Sequence, residues 1–410
     1  MLKHADIVDI AEDLLSRRFG GTQKLTDVTQ LSGSGSAVVL RARVAASPFL
    51  QQRSVILKFV PESGNRLDDA ALVREIVSYQ FTTSLSEEVR PGPVMLAYDV
   101  DKRIIVLTDS GDGDTFADLL ELKDPERRVS ILRNLGTALG RMHAGTAERE
   151  QDYNILFTRM LRNHPESSEI QQLRDAALIQ SIQIGEELLR SAGIEIPDLV
   201  SQFAEDGRTR LLSAHHRAFT PFDLSPDNII VAETTHFLDY EWAGFRDVSF
   251  DLACVIAGFP QFLFSHPISD DEADVFVDAW SHEVDRLWPN VKNEAHLHSR
   301  IMAALLGWAL SSVALLHFGS MSAAVAVLHE AEEQDQHIDP NTVEGVTDLL
   351  RPASHGPFTA EEVVVRRDIF ETFEALARYA ARGTDPSYGV IAAFSQGIAD
   401  RVAEPGLPVR

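Results

Sequence analysis

The chain contains a single cysteine, Cys254, in 410 residues, so no disulfide can form within it and a reducing compartment suits it. Positive charge is also scarce: 37 Lys and Arg stand against 62 Asp and Glu, a formal net charge of −25. No basic stripe is available to neutralise a phosphate backbone, and nucleic acid is not an expected partner. The amino terminus, Met1 to Asp9, mixes charges among apolar residues and lacks the apolar core of a secretory signal. The longest apolar run, Ile301–Phe318, is interrupted by Gly307, Ser311, Ser312 and His317. It reads as a buried helix rather than a membrane span. No membrane partner and a cytoplasmic location are therefore expected. Internal repeats, low-complexity segments, a nucleophile elbow and a cysteine metal cluster are all missing.

What is present is an ordinary globular composition, 44% hydrophobic and 24% charged, in a chain long enough for two or three packed units. The charge is unevenly placed. Residues 1–108 carry 13 Lys and Arg against 13 Asp and Glu, so the whole −25 falls on residues 109–410, with 24 against 49. Such a surface either keeps the protein soluble by repulsion or draws a cationic substrate toward a cleft.

Periodicity divides the chain in the same way. Asp6–Phe19 has apolar residues at helical spacing and ends at Gly20-Gly21. Strand patterns follow at Val28–Leu31, Ala37–Val44, Ser54–Val60, Val94–Tyr98 and Arg103–Thr108, with a polar loop at Pro61–Asp69 and a helix at Ala70–Thr83. Beyond Asp109 helices dominate: Asp118–Leu122, Arg128–His143, Ile170–Ala192, and again from Asp251 onward. Thr359 followed by Glu362 is a capping box opening a helix to about Arg382. The expected fold is α+β and bilobal: a five-stranded antiparallel amino-terminal lobe, 1–108, then an α-rich lobe, 109–410. Within the latter, 215–253 carries the catalytic loop and 260–410 a helical substrate-binding region.

The chemistry concentrates in Pro221-Phe-Asp-Leu-Ser-Pro-Asp-Asn-Ile-Ile-Val231 and Phe237-Leu-Asp-Tyr-Glu241. These read as a loop bearing Asp223 and Asn228, a strand, a turn through Glu233–His236, and a second strand ending at Asp239. Phosphoryl transfer needs a carboxylate to orient a hydroxyl and oxygen ligands to hold Mg²⁺ against ATP phosphates. Asp223 is the candidate base, and Asn228 and Asp239 are the candidate metal ligands. Strand alternation places Glu241 on the face of Asp239, where it either helps the metal or bonds an Arg. Gly33, Ser34 and Gly35 lie between two strands, where backbone N–H groups can approach a phosphate or simply turn a hairpin. Lys58 sits inside the apolar strand Val55–Val60; paired with Glu75 it can steady phosphates, and otherwise it is a solvated edge lysine.

This ordered set resembles the protein-kinase-like fold and, within it, the aminoglycoside phosphotransferase family of small-molecule kinases. Further echoes are Val106-Leu-Thr-Asp-Ser-Gly-Asp-Gly113, Leu139-Gly-Arg-Met-His-Ala144, and Phe245-Arg-Asp-Val-Ser-Phe-Asp-Leu-Ala253. The last follows Asp239 as a G-D-P-x-x-D-L-A segment does in that family. The resemblance spans residues 25–260. It implies adenine contacts with the backbone at Thr108, Asp109 and Ser110, and structural roles for Asp247 and Asp251. It also implies a small-molecule acceptor, such as a cationic aminoglycoside-like or amino-alcohol compound, with ATP and Mg²⁺ as cofactors. One departure is that Pro221-Phe222 stands where the family has His-Gly. That leaves a non-catalytic nucleotide-binding pseudokinase as the alternative. A protein Ser/Thr kinase is disfavoured by Asp239-Tyr-Glu241 in place of D-F-G and by the lack of A-P-E. His329, Glu333 and His337 share a helical face, but Glu333 stands where a zinc helix needs its second His. His215-His216 and His296-Leu-His298 have no third ligand at useful spacing. The sequence leaves oligomeric state open.

Overall fold

A computed structural model describes residues 2–31, 36–122, 124–263, 267–319, 323 and 349–403. Strands β1 (Leu25–Gln30), β2 (Val38–Val44), β3 (Ser54–Phe59), β4 (Met95–Asp99) and β5 (Ile104–Thr108) form one antiparallel sheet in the order β1-β2-β3-β5-β4. Alternation sorts the side chains between two cores. Leu40, Leu57, Ile104 and Val106 face helix α1 (His4–Phe19), which contributes Ile7, Ala11, Leu14 and Leu15. Ile105 and Leu107 instead join the larger core with Leu72, Val73 and Ile76. β5 is thus buried on both faces, which explains its unbroken apolar run.

The expected loop Pro61–Asp69 contains a short helix, α2 (Arg66–Asp69), capped by the Asn65 side chain accepting from the Leu67 N–H. It leads into α3 (Ala71–Thr83), the helix expected from the sequence. The turn containing Gly33, Ser34 and Gly35 lies outside the described residues, as do His329, Glu333 and His337.

After the short β6 (Asp114–Thr115) the chain is helical: α4 (Phe116–Leu120), α5 (Pro125–Thr146), α6 (Glu150–Asn163), α7 (Ser168–Ser191) and α8 (Asp198–Leu212). α4 begins before Asp118 because Thr115 and Asp118 form a capping box. Four strands then bring the chemistry together: β7 (Arg217–Thr220), β8 (Ile229–Val231), β9 (Thr235–Phe237) and β10 (Gly244–Asp247). β7 pairs with β10, and β8 pairs with both β9 and β6. Helices α9 (Ser249–Ile256), α10 (Asp270–Val284) and α11 (Glu294–Phe318) follow, then Ala360–Ala381 and Tyr388–Val402. The Thr359–Glu362 capping box is present. α11 is long and apolar enough to cross a membrane by composition alone, but 83% of that stretch is buried inside the protein. It packs against α7 and α9, the arrangement of a core helix.

Candidate functional site

β3 pairs with β2 and β5 on either side, so Lys58 is held opposite Val39 and Ile105. Its neighbours Leu57 and Phe59 point into the α1 core, so alternation turns Lys58 the other way, toward α3. Lys58 Nζ donates to Glu75 Oε1 at 2.6 Å and to Asp239 Oδ1 at 2.9 Å. Burial works to lower the Lys58 pKa, but Glu75 and Asp239 outweigh it and hold the ammonium well above its ordinary value. Burial pushes the Glu75 carboxyl up, to about 7, against the pull of Lys58. Asp239 is the most open of the three, its side chain 34% exposed, and can still meet a ligand from the cleft.

Asp239 is not a strand residue. β9 ends at Phe237, and Asp239 adopts φ +57°, in the left-handed region. The strand expected to run from Phe237 to Asp239 begins at Thr235 instead, so alternation does not place Glu241 beside Asp239. Two hydrogen bonds fix the segment: Leu238 N–H donates to the Asn228 carbonyl at 2.8 Å, and Asp239 N–H to the Tyr79 hydroxyl at 3.3 Å. Tyr79 and Glu75 lie one turn apart on α3, so a single helix face positions both ends of the Lys58 bridge. Tyr79 was missed in the sequence; its i+4 spacing from Glu75 was the available signal.

Asp223 stands three residues beyond the end of β7. Its Oδ1 accepts from the Ser225 N–H at 3.1 Å and the Ser225 hydroxyl at 2.7 Å, while Oδ2 takes no bond from the described residues. Burial raises its pKa, the Ser225 bonds oppose this, and the nearby Asp239 charge adds to the rise. Phe222, in place of the expected glycine, adopts φ +65°. The backbone path suited to glycine is therefore kept by an aromatic residue. Asn228 closes a short turn, donating its N–H to the Ser225 carbonyl at 2.8 Å.

Lys58, Glu75, Asp223, Asn228 and Asp239 all line one cleft of about 640 Å³. Glu241 lines it too, its pKa pushed up to about 7 by burial and then by the charge of Asp239, with Arg174 pulling the other way. The bond to an Arg is made through the backbone: Arg174 donates to the Glu241 carbonyl oxygen at 2.9 Å, while its guanidinium lies 3.7 Å from the Trp242 ring centroid. Arg174 and Trp242 carried no motif, and only the fold brings them to the cleft. Thr108, Asp109 and Ser110 do not line it. They border a second cavity, of about 450 Å³, near Arg90, Arg141 and His236. The Asp109 carboxylate accepts from Ser54 and pairs with Arg41, and the Thr108 hydroxyl accepts from the Val94 N–H. Asp247 and Asp251 are buried: Asp247 pairs with Arg300, and Asp251 accepts from His143 at 3.1 Å. His216 and His298 rest on Trp288 and Tyr379.

Among the described residues no group of three or more His, Cys, Asp or Glu could hold a metal. Mg²⁺ needs less, since one or two protein oxygens suffice when phosphates and water supply the rest. Asp239 Oδ2 and the side-chain amide oxygen of Asn228, neither taking a bond from the described residues, fit that requirement.

A sequence model of the phosphotransferase enzyme family matches residues 49–292. No curated protein matches the chain significantly. Among solved structures, the choline kinase LicA from Streptococcus pneumoniae is 14% identical, with a TM-score of 0.42, covering 92% of this chain and 100% of its own. A choline/ethanolamine kinase family protein from Mesorhizobium loti is 13% identical, TM-score 0.40, covering 95% and 99%. The APH(2")-IIa complex with gentamicin is 11% identical, TM-score 0.44, covering 82% and 97%.

Proposed function

The chain belongs to the phosphotransferase enzyme family, and from that premise we propose that it moves the γ-phosphate of ATP to a hydroxyl of a small cationic acceptor. The observation that carries this reading is the meeting of Lys58, Glu75 and Asp239 with Asp223 and Asn228 in one cleft. Residues 1–108 act as the nucleotide-binding lobe and 109–410 as the helical lobe, with 215–253 supplying the catalytic loop and 260–410 the acceptor side. Lys58, held charged by Glu75, steadies the phosphates. The backbone at Thr108–Ser110 and the Gly33–Gly35 turn are assigned to the nucleotide. Asn228 and Asp239 hold Mg²⁺, which when bound supplies charge neutralisation on the phosphates. The unengaged Oδ2 of Asp223 orients the acceptor hydroxyl and takes its proton as the new P–O bond forms and the bond to ADP breaks. A carboxyl raised by burial is better matched to that task near neutral pH than an ordinary Asp.

The cleft lining includes seven carboxylates against three cationic side chains, which favours a positively charged acceptor. Choline, ethanolamine and gentamicin, named for the structural neighbours, are the first acceptors to try. The lone cysteine is buried, and we place the protein in the cytoplasm.

Thermal unfolding with ATP, Mg²⁺, both and neither tests the nucleotide site. A ligand that binds only the folded form raises the midpoint. Magnesium-dependent stabilisation by ATP, lost in Asp239→Ala, supports the assignment, and ADP release with the acceptor panel then identifies the substrate. No shift at several millimolar ATP overturns it.

A further inference from the structure

Phe222 immediately precedes Asp223 and holds φ +65°. A non-glycine side chain is disfavoured in the left-handed region, so surrounding contacts must hold it there. Its buried ring stacks on Trp308 of α11 at 5.1 Å, with Phe250 at 6.1 Å. The third neighbour is a cation: the Arg246 guanidinium lies 4.8 Å from the ring centroid.

Arg246 is itself buried. It donates to the Trp242 carbonyl at 2.7 Å and to the Asp175 carboxylate of α7 at 3.3 Å. It folds back over Gly244, where an added Cβ would stand 3.1 Å from its Nη1. Pairing of β7 with β10 brings these pieces together, since Thr220 sits opposite Gly244. One cation therefore touches both the residue before Asp223 and the residue three positions after Asp239.

We propose that Phe222 and Arg246 form a coupled positioning pair that sets the Asp223 carboxylate relative to the segment following Asp239. Arg246 seats the ring, and the ring fixes a backbone path that would otherwise need glycine. The kinetic consequence rests on Asp223 being the base; the coupling itself does not. Neither residue touches the reacting atoms, and both act through the loop they hold.

The test uses the full-length protein with Phe222→Gly, Arg246→Gly, the double variant, and Arg246→Met as a volume-preserving control for folding. Hydrogen exchange needs no acceptor. Arg246→Gly and Arg246→Met should speed exchange in peptides covering 219–228 by about fivefold or more, leaving β2 and β3 unchanged. In the Phe222→Gly background the same change should add less than about twofold, the signature of coupling. Equal effects in both backgrounds, or none in either, overturn the pair. With the acceptor panel and Mg²⁺-ATP, Arg246→Gly should lower kcat by about 10- to 100-fold with the KM for ATP within about twofold. A rise in KM with kcat intact overturns the positioning role. A wild-type protein that phosphorylates none of the panel counts against the phosphotransfer reading, and the exchange result still decides the pairing.

Discussion

Asp223 has one oxygen tied to Ser225 and the other unengaged, so changing it separates chemistry from binding. Asp223→Asn should lower kcat by about 10²–10⁴-fold, the usual worth of a positioned base. The midpoint rise with Mg²⁺-ATP should be unchanged, because the contacts proposed above for the nucleotide and its metal do not include Asp223. A variant with wild-type turnover removes Asp223 from the mechanism. The acid side of the kcat profile is a second check. Since burial raises the Asp223 pKa, activity should fall with decreasing pH at a higher pH than an ordinary Asp, at 3.8, would give. A limb at or below that value contradicts the assignment.

At the scale of elements, two substitutions contrast what could and could not be read from the sequence. The Thr359–Glu362 cap was legible, because an N-cap and its reciprocal partner sit three residues apart in the chain. Thr359→Ala should cost about 0.5–2 kcal/mol in chemical denaturation. Gly185 gave no such signal, being one of several small residues along α7. In the fold, a Cβ at Gly185 would run into the Leu310 carbonyl, where α7 crosses α11. Gly185→Ala should therefore destabilise by about 1–3 kcal/mol despite its better helix propensity. A stabilised Gly185→Ala variant would mean the two helices are not in that close contact.

Across the whole molecule, the raised carboxyls make stability depend on pH in a defined direction. Glu241 and Asp368 are both pushed up to about 7, in each case first by burial, from ordinary values of 4.5 and 3.8. Between about 4.5 and about 7 the folded protein therefore holds protons that the unfolded chain has released. Stability from these groups is full below their unfolded values and is lost as pH rises through the folded ones. The midpoint without ligand should fall across that window, and Glu241→Gln with Asp368→Asn should flatten the slope. A midpoint that rises from pH 4.5 to 7, with the slope unaltered by both changes, contradicts this account. The acidic charge has a kinetic counterpart. For a cationic acceptor, kcat/KM should decline as salt is raised from about 0.01 to 0.15 M, where the Debye length shrinks to about 8 Å.

The sequence by itself determined the chemical inventory and the local elements. Lys58 in an apolar strand, Glu75 on α3, and the Asp223-to-Asn228 spacing all depend on residues close in the chain, where periodicity and turn preference act. The five strands followed for the same reason, with ends displaced by a few residues. Tertiary structure decided what lies far apart in sequence. It brought Lys58 to Asp239 across 181 positions and gave Asp239 a left-handed backbone where a strand end was expected. It directed Thr108–Ser110 to a different cavity from Lys58, and it joined Phe222 to Arg246. Such meetings depend on how whole elements pack against one another, and the spacing of neighbours along a chain carries no information about that.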